Sequence, residues 1–198
     1  MLAPNVPNVL TMLRILLVPV IVVALLGETP HGDLVAAVVF AFASATDWVD
    51  GWLARSRDSV TTFGKLMDPV ADKLLIIAAL VVLVSQDRIP AWIAMVIIAR
   101  EFAVTVTRMY ATSQGIVISA NWWGKAKTMV QVAAIFFAIG FNPTPPAVDA
   151  LLYAAVVITV ISGIDYFFGL RKLLREADER RAAAQAAPAP SSQSRIET

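Results

Sequence analysis

The sequence predicts an all-α integral membrane protein with six transmembrane helices. Of its 198 residues, 58% are hydrophobic and only 16% are charged, whereas soluble domains average about 45–50% apolar residues. The apolar residues are collected in six segments, and spans of ~20 residues suit a bilayer core of about 30 Å. The net charge of +1 gives no reason to expect a nucleic-acid partner.

Short polar or proline-containing turns separate the predicted spans. The spans are Val9–Leu26, Leu34–Leu53, the segment from Pro69 to Ser85, Ala91–Tyr110, Lys127–Gly140 and Ala150–Leu170. The fifth is short unless its helix begins before Lys127, and Pro69 is expected in the first turn of the third helix. We divide the chain into a membrane domain, 1–170, and a tail, 171–198. The tail is predicted to begin as an amphipathic helix and to end in a disordered, low-complexity stretch.

Basic residues predict how the spans are oriented. One side carries Arg55, Arg57 and Lys65 after the second span, Arg108, Lys125 and Lys127 around the loop after the fourth, and Arg171, Lys172, Arg175, Arg180 and Arg181 in the tail. Among lysines and arginines, the loops of the other side contain only Arg88. The positive-inside rule therefore places both termini on the cytoplasmic side.

Two residue types exclude whole classes of chemistry. The chain has no cysteine, so disulfides, thiolate metal sites and cysteine nucleophiles are excluded. Its one histidine, His31, lies in a short loop, so a histidine-based triad or a histidine-rich metal site is excluded too.

The most informative stretch, residues 47–72, carries four aspartates on the predicted cytoplasmic side. Asp47 and Asp50 end the second apolar segment, and Asp68 and Asp72 begin the third. Their spacings, i,i+3 and i,i+4, put each pair on one face of a helix. Carboxylates are costly at this depth and indicate function, and a converging set of four favours hard divalent cations.

A structural role for the aspartates is the alternative. They would then form interhelical salt bridges with the nearby basic residues Arg55, Arg57, Lys65 and Lys73.

The aspartates belong to a longer pattern. It reads Asp47-x-x-Asp50-Gly51-x-x-Ala54-Arg55, then eight residues, then Gly64-x-x-x-Asp68-x-x-x-Asp72. Every position resembles the signature of the CDP-alcohol phosphatidyltransferase family. The resemblance implies a six-helix fold in the bacterial cytoplasmic membrane, usually a homodimer, with a polar active-site cavity that faces the cytoplasm. It also implies transfer of a phosphatidyl group from CDP-diacylglycerol to an alcohol, with release of CMP.

The resemblance also implies a role for each motif residue. Asp47, Asp50, Asp68 and Asp72 would hold two Mg²⁺ or Mn²⁺ ions, with Asp72 also the general base. Contacts to CDP-diacylglycerol would come from Gly51, Ala54, Arg55, Thr61 and Gly64, and from Asn8, Thr11 and Arg14 in the first span. Small residues let a nucleotide approach the backbone, and arginine can bind a phosphate in a bidentate way. For Arg14 the alternative is that its side chain snorkels to the headgroups.

The acceptor is indicated by three further stretches, residues 5–19, 97–110 and 121–131. They resemble the branch of the family that uses sn-glycerol 3-phosphate. A phosphate in a partly desolvated cavity needs cationic partners, and the candidates are Arg100, Arg108, Lys125 and Lys127. The alternative for Arg100 or Arg108 is an ion pair with Glu101.

Other functions stay open. The same chemistry with inositol phosphate, or with phosphatidylglycerol as in a cardiolipin synthase, is the near alternative. A divalent-cation transporter is a distant one, since it gives no reason for the fixed spacing of Gly51, Ala54, Arg55 and Gly64.

Overall fold

The structure, a computed structural model, describes residues 6–27, 29–56, 62–113 and 122–186. Side chains are described for 9–27, 29–46, 73–113, 122, 124–175 and 179. The described residues form six α-helices and no strand, which confirms the all-α prediction. The helices are α1 (Val6–Leu26), α2 (Gly32–Ser56), α3 (Thr62–Ser85), α4 (Ala91–Ser113), α5 (Trp122–Gly140) and α6 (Pro146–Ala186).

Three helix boundaries differ from the simplest interpretation of the sequence. Helix α5 begins at Trp122, before Lys127, and has 19 residues. The fifth helix is therefore longer than the span predicted to begin at Lys127. Helix α6 continues past residue 170 to Ala186, so the predicted helical continuation is present. The placement of Pro69 in the first turn of the third helix was wrong, because α3 already begins at Thr62. A proline inside a helix removes one backbone hydrogen bond, which packing within a helical bundle tolerates.

The six helices pack side by side in a closed ring. Going round it, each helix contacts the next in the order α1, α2, α5, α6, α4 and α3, and α3 also contacts α5 and α2. All six contribute buried apolar side chains to one core. Its largest members include Ile21, Phe40, Leu80, Leu83, Ile93, Ile97, Ile135, Ile139 and Leu152.

The turn between α3 and α4 fastens one end of the bundle, which we call the distal end. Arg88 donates hydrogen bonds to Asp33 Oδ1 at 2.7 Å and to the Ile139 carbonyl at 3.0 Å. Gln86 donates to the Leu25 carbonyl at 2.6 Å. The ends of α1, α3 and α5 and the starts of α2 and α4 therefore meet here. At the other end, the aspartate end, α2 ends and α3 begins.

The outer surface of the bundle is apolar. Leu16, Val23 and Phe168 are more than half exposed, as are many other large apolar side chains. Within the described residues, Val9–Leu26 and Pro146–Arg175 are long and apolar enough to cross a membrane, and Gly32–Thr46 and Lys73–Ser85 are shorter apolar helices. Since such a surface is unfavourable in water, these features indicate a membrane protein.

Candidate active site

The two aspartate pairs lie on α2 and α3, the helices that end and begin at the aspartate end of the bundle. Residues 47–50 are helical near the end of α2, and residues 68–72 are helical in α3. This backbone confirms that each pair has the helical spacing that puts its members on one face. The side chains of the aspartates, Asn8, Ala54 and Arg55, and Thr61 as a whole, lie outside the described residues. Gly51 and Gly64 are in the helical backbone of α2 and α3.

Helix α1 brings two of its predicted site residues into the interior of the bundle. Thr11 and Arg14 are both buried, Arg14 with only 2% of its surface exposed. They lie one turn apart, near the start of the helix that packs against both α2 and α3. A snorkelling arginine keeps its guanidinium in water, so this burial does not fit the snorkelling alternative. It is compatible with a contribution to a polar site between the three helices.

A buried carboxylate, Glu101 of α4, gathers three basic side chains. Its side chain is 4% exposed. Lys127 of α5 donates to Oε1 and Lys73 of α3 donates to Oε2. The guanidinium of Arg100 lies 3.6 Å from Oε1. We call these four residues the Glu101 cluster; it joins α3, α4 and α5 about halfway along α3 and α4.

Arg100 is held against α6 by two consecutive small residues. Its Nη2 donates to Ser162 Oγ at 2.9 Å. A Cβ at Gly163 would lie 3.3 Å from Arg100 Cγ, so the absence of a side chain there gives the arginine room to lie along α6. The buried Nε of Arg100 has no hydrogen-bond partner among the described residues. The side chain therefore keeps a donor for a further acceptor atom.

The four cations predicted to bind the acceptor phosphate do not converge on one point. Arg100 and Lys127 meet in the Glu101 cluster. Arg108 is exposed, with its guanidinium carbon 5.8 Å from the centre of the Tyr166 ring. Lys125 is exposed near the start of α5. The predicted alternative of an ion pair with Glu101 thus holds in part for Arg100, while Arg108 stacks on an aromatic ring instead.

Further polar side chains continue from the cluster into the bundle. Gln131 lies one turn after Lys127 on α5, and Thr159 and Ser162 lie one turn apart on α6; all are buried. Buried polar groups are costly without partners. Gln131 Oε1 and Thr159 Oγ1 have no hydrogen-bond partner among the described residues. The interior near the Glu101 cluster is therefore more polar than the core nearer the distal end.

Comparison with known proteins decides the family. Residues 4–161 match the model of the CDP-alcohol phosphatidyltransferase family. The chain belongs to this family of enzymes. A relative from Bacillus subtilis, named CDP-diacylglycerol–glycerol-3-phosphate 3-phosphatidyltransferase, is 43% identical over 82% of this chain and 93% of its own length.

Two further relatives are similar over most of this phosphatidyltransferase. A Mycobacterium tuberculosis protein named probable phosphatidylglycerophosphate synthase is 42% identical over 82% of this chain and 79% of its own length. A Haemophilus influenzae CDP-diacylglycerol–glycerol-3-phosphate 3-phosphatidyltransferase is 36% identical over 82% of this chain and 91% of its own length. The family resemblance inferred from the aspartate pattern is thereby confirmed.

Sequence analysis did not predict the contacts of the Glu101 cluster of this phosphatidyltransferase or those of Arg100 with α6. Glu101 was considered only as a partner of Arg100 or Arg108, and Lys73 only as a partner of the aspartates. A signal for Glu101 existed, since an acidic residue inside an apolar helix indicates function. Ser162 and Gly163 also carried a signal, because adjacent small residues in a membrane helix mark close approach of a neighbour.

Proposed function

We propose that this phosphatidyltransferase transfers the phosphatidyl group of CDP-diacylglycerol to sn-glycerol 3-phosphate, giving phosphatidylglycerophosphate and CMP. The observation that carries the proposal is the Glu101 cluster, which brings Arg100, Lys73 and Lys127 together, with Lys73 directly after Asp72 in α3. A phosphate-bearing acceptor needs such cations in a desolvated cavity, whereas a neutral alcohol does not. The names of the Bacillus and Haemophilus relatives support the same acceptor.

The apolar outer surface of the bundle and the distribution of basic residues support the proposed membrane arrangement. All six helices cross the bilayer, with the aspartate end at the cytoplasmic face. Both the nucleotide headgroup of CDP-diacylglycerol and a soluble acceptor can reach the aspartates there. Helix α6 has 41 residues, about 60 Å at 1.5 Å per residue, so it extends beyond a membrane of about 40–45 Å. Assembly as a homodimer stays a prediction.

The four aspartates fit two divalent cations. The helical backbone at 47–50 and 68–72 puts two carboxylates on each of two helices that meet at one end. Carboxylate oxygens are the ligands that Mg²⁺ and Mn²⁺ prefer. When bound, the ions would neutralise the pyrophosphate and stabilise the CMP leaving group.

The protein side chains position the acceptor and move one proton. Asp72 takes the proton of the acceptor's primary hydroxyl, and the hydroxyl oxygen attacks the phosphorus that bears the diacylglycerol. The bond from that phosphorus to the bridging oxygen breaks, and this oxygen leaves with CMP. Arg100 holds the acceptor's phosphate through its guanidinium, whose buried Nε lacks a partner among the described residues. Thr11 and Arg14 contact the nucleotide-lipid from α1.

An acceptor screen tests this function. Purified protein in liposomes receives CDP-diacylglycerol, Mg²⁺ and one acceptor: glycerol 3-phosphate, inositol phosphate, serine or phosphatidylglycerol. CMP release is expected with glycerol 3-phosphate. CMP release with phosphatidylglycerol instead would identify a cardiolipin synthase. CMP release with inositol phosphate would mean that the same transfer reaction uses a different acceptor.

A second measurement separates transfer from cation transport. CMP is expected to raise the apparent melting temperature of the purified protein only when Mg²⁺ or Mn²⁺ is present, because ligand binding to the folded state stabilises it. A transporter that uses the aspartates for transit would respond to the metal and ignore the nucleotide.

A further inference from the structure

Tyr166 lies on the face of α6 that packs against α4. It is spaced i,i+4 from Ser162, so the two side chains share one face of the helix. Ser162 accepts a hydrogen bond from Arg100 at 2.9 Å. The Tyr166 ring lies with its centre 5.8 Å from the guanidinium carbon of Arg108. This face of α6 therefore contacts both arginines that the sequence predicted to bind the acceptor phosphate.

The hydroxyl of Tyr166 is buried and lacks a hydrogen-bond partner among the described residues. The same is true of Nε of Arg100 on the facing helix. A buried polar group without a partner is costly, and a buried tyrosine hydroxyl usually finds one. Both groups can donate a hydrogen bond. Two such donors on facing helices suit an anion with several acceptor oxygens, such as a phosphate.

The charges around Tyr166 also favour an anion. Arg108 forms no ion pair with any side chain that the structure describes. It lies within electrostatic reach of Arg100, so the two cations repel each other. Glu101 is 3.6 Å from Arg100 but is shared with two lysines, and Asp165 is exposed on a different side of α6 from Tyr166. A phosphate bound between the arginines would replace this repulsion with attraction.

Exposure increases along the contact between α4 and α6, from Arg100 to Arg108. The Arg100 side chain is 15% exposed, Tyr166 is partly buried and Arg108 is exposed. Helix α4 begins at the distal end, so Arg108 lies about two turns nearer to the aspartate end than Arg100 does. This order is the one expected for a site that a soluble anion enters from the aspartate end.

We propose that Tyr166 binds the phosphate of the acceptor through its hydroxyl, between Arg100 and Arg108, and that its ring positions Arg108. This inference rests on the proposed function, since it requires a phosphate-bearing acceptor. It adds a neutral donor from α6 to the predicted cations, and it gives the stacking of Arg108 on an aromatic ring a role in binding. The competing explanation is that Tyr166 only packs between the two helices.

Tyr166→Phe removes the hydroxyl and keeps the ring. The KM for glycerol 3-phosphate is expected to rise about tenfold, because a hydrogen bond to a charged group is lost. The KM for CDP-diacylglycerol is expected to stay within about twofold. A wild-type KM for glycerol 3-phosphate would overturn the proposal. A rise confined to the KM for CDP-diacylglycerol would also overturn it, because the anion at Tyr166 would then be a phosphate of the nucleotide-lipid.

Tyr166→Leu tests the role of the ring. This variant removes both the hydroxyl and the aromatic face on which Arg108 stacks. Its KM for glycerol 3-phosphate is expected to be severalfold higher than that of Tyr166→Phe. Equal KM values for the two variants would overturn the positioning of Arg108 by the ring.

Tyr153 provides a matched control on the same helix. Its ring also packs against α4, with its centre 5.9 Å from that of Trp92 near the distal end. Tyr153→Phe makes the same chemical change and is expected to leave both KM values unchanged. If it raised the KM for glycerol 3-phosphate as much as Tyr166→Phe does, the effect would not depend on the place of the hydroxyl, and the proposal would be wrong.

Arg108→Gln keeps the test decisive if Tyr166→Phe does not fold. Arg108 is exposed, so its replacement places little demand on folding. Its KM for glycerol 3-phosphate is expected to rise about tenfold; an unchanged value would overturn the proposal.

The wild-type protein distinguishes the two levels of inference. Without CMP release that depends on glycerol 3-phosphate, the proposed function fails and the role of Tyr166 falls with it. Wild-type activity with glycerol 3-phosphate, together with unaffected variants, removes only the role of Tyr166.

Discussion

Gly163 of α6 lies directly against the side chain of Arg100 of α4. A Cβ added at Gly163 would be 3.3 Å from Arg100 Cγ and 3.7 Å from Nε. The neighbouring Ser162 accepts a hydrogen bond from the same arginine at 2.9 Å. One small residue thus makes room for the arginine, and the one before it orients the guanidinium.

Gly163→Ala is expected to shift Arg100 by a few tenths of an ångström and to raise the KM for glycerol 3-phosphate by roughly threefold to tenfold, because binding depends steeply on position. Gly169→Ala is the control on the same helix, since a Cβ there would meet nothing within 4 Å. Alanine favours a helix over glycine by up to about 1 kcal/mol, so Gly169→Ala should be neutral or stabilising. Equal KM values for the two variants would contradict the close contact with Arg100.

Arg88 is expected to matter for stability and not for catalysis. Arg88→Met leaves Asp33 and the Ile139 carbonyl without their donor, which should lower the free energy of unfolding by about 2 kcal/mol. Asp33→Asn should cost about 1 kcal/mol, because Asp33 is partly exposed. Melting curves in detergent measure both. Unchanged curves would mean that the contacts of Arg88 contribute little.

Asp72→Asn is expected to retain CDP-diacylglycerol binding and to lose most turnover, by about a hundredfold to ten-thousandfold if the residue is the general base. Binding is followed by the thermal shift with nucleotide and metal, and turnover by CMP release. Full activity in this variant would remove Asp72 from the role of base.

Asp47→Asn is expected to weaken metal binding itself, since one anionic ligand becomes a neutral amide. Titration of activity with Mg²⁺ should show a higher half-saturating concentration than in the wild type. An unchanged metal dependence would argue against Asp47 as a ligand and favour the salt-bridge alternative.

Thr11→Val is expected to raise the KM for CDP-diacylglycerol severalfold without changing the KM for glycerol 3-phosphate. The substitution nearly conserves the volume of a buried side chain and removes its hydroxyl. Met12→Leu is the control, because Met12 is adjacent to Thr11 but exposed. A rise in the KM for glycerol 3-phosphate alone would mean that Thr11 contacts the acceptor and not CDP-diacylglycerol.

The helices were largely predictable because local patterns specify them. Apolar runs, turn residues and basic flanks predicted all six helices of the described chain, with errors confined to their ends. Pro69 shows the limit: a proline signals a helix start from sequence alone, yet the helix that contains it begins at Thr62. Packing against neighbouring helices decides such cases.

The sequence by itself determined the family, because the aspartate pattern depends on fixed spacings along two helices, which need no knowledge of how those helices pack. It also named the cations available for an acceptor. Only the tertiary structure decided which of them lie together. Lys73, Glu101 and Lys127 lie on three different helices, and Gly163 faces Arg100 from a fourth. Local periodicity fixes the faces of a helix, whereas the partner of each face depends on long-range packing of the whole bundle.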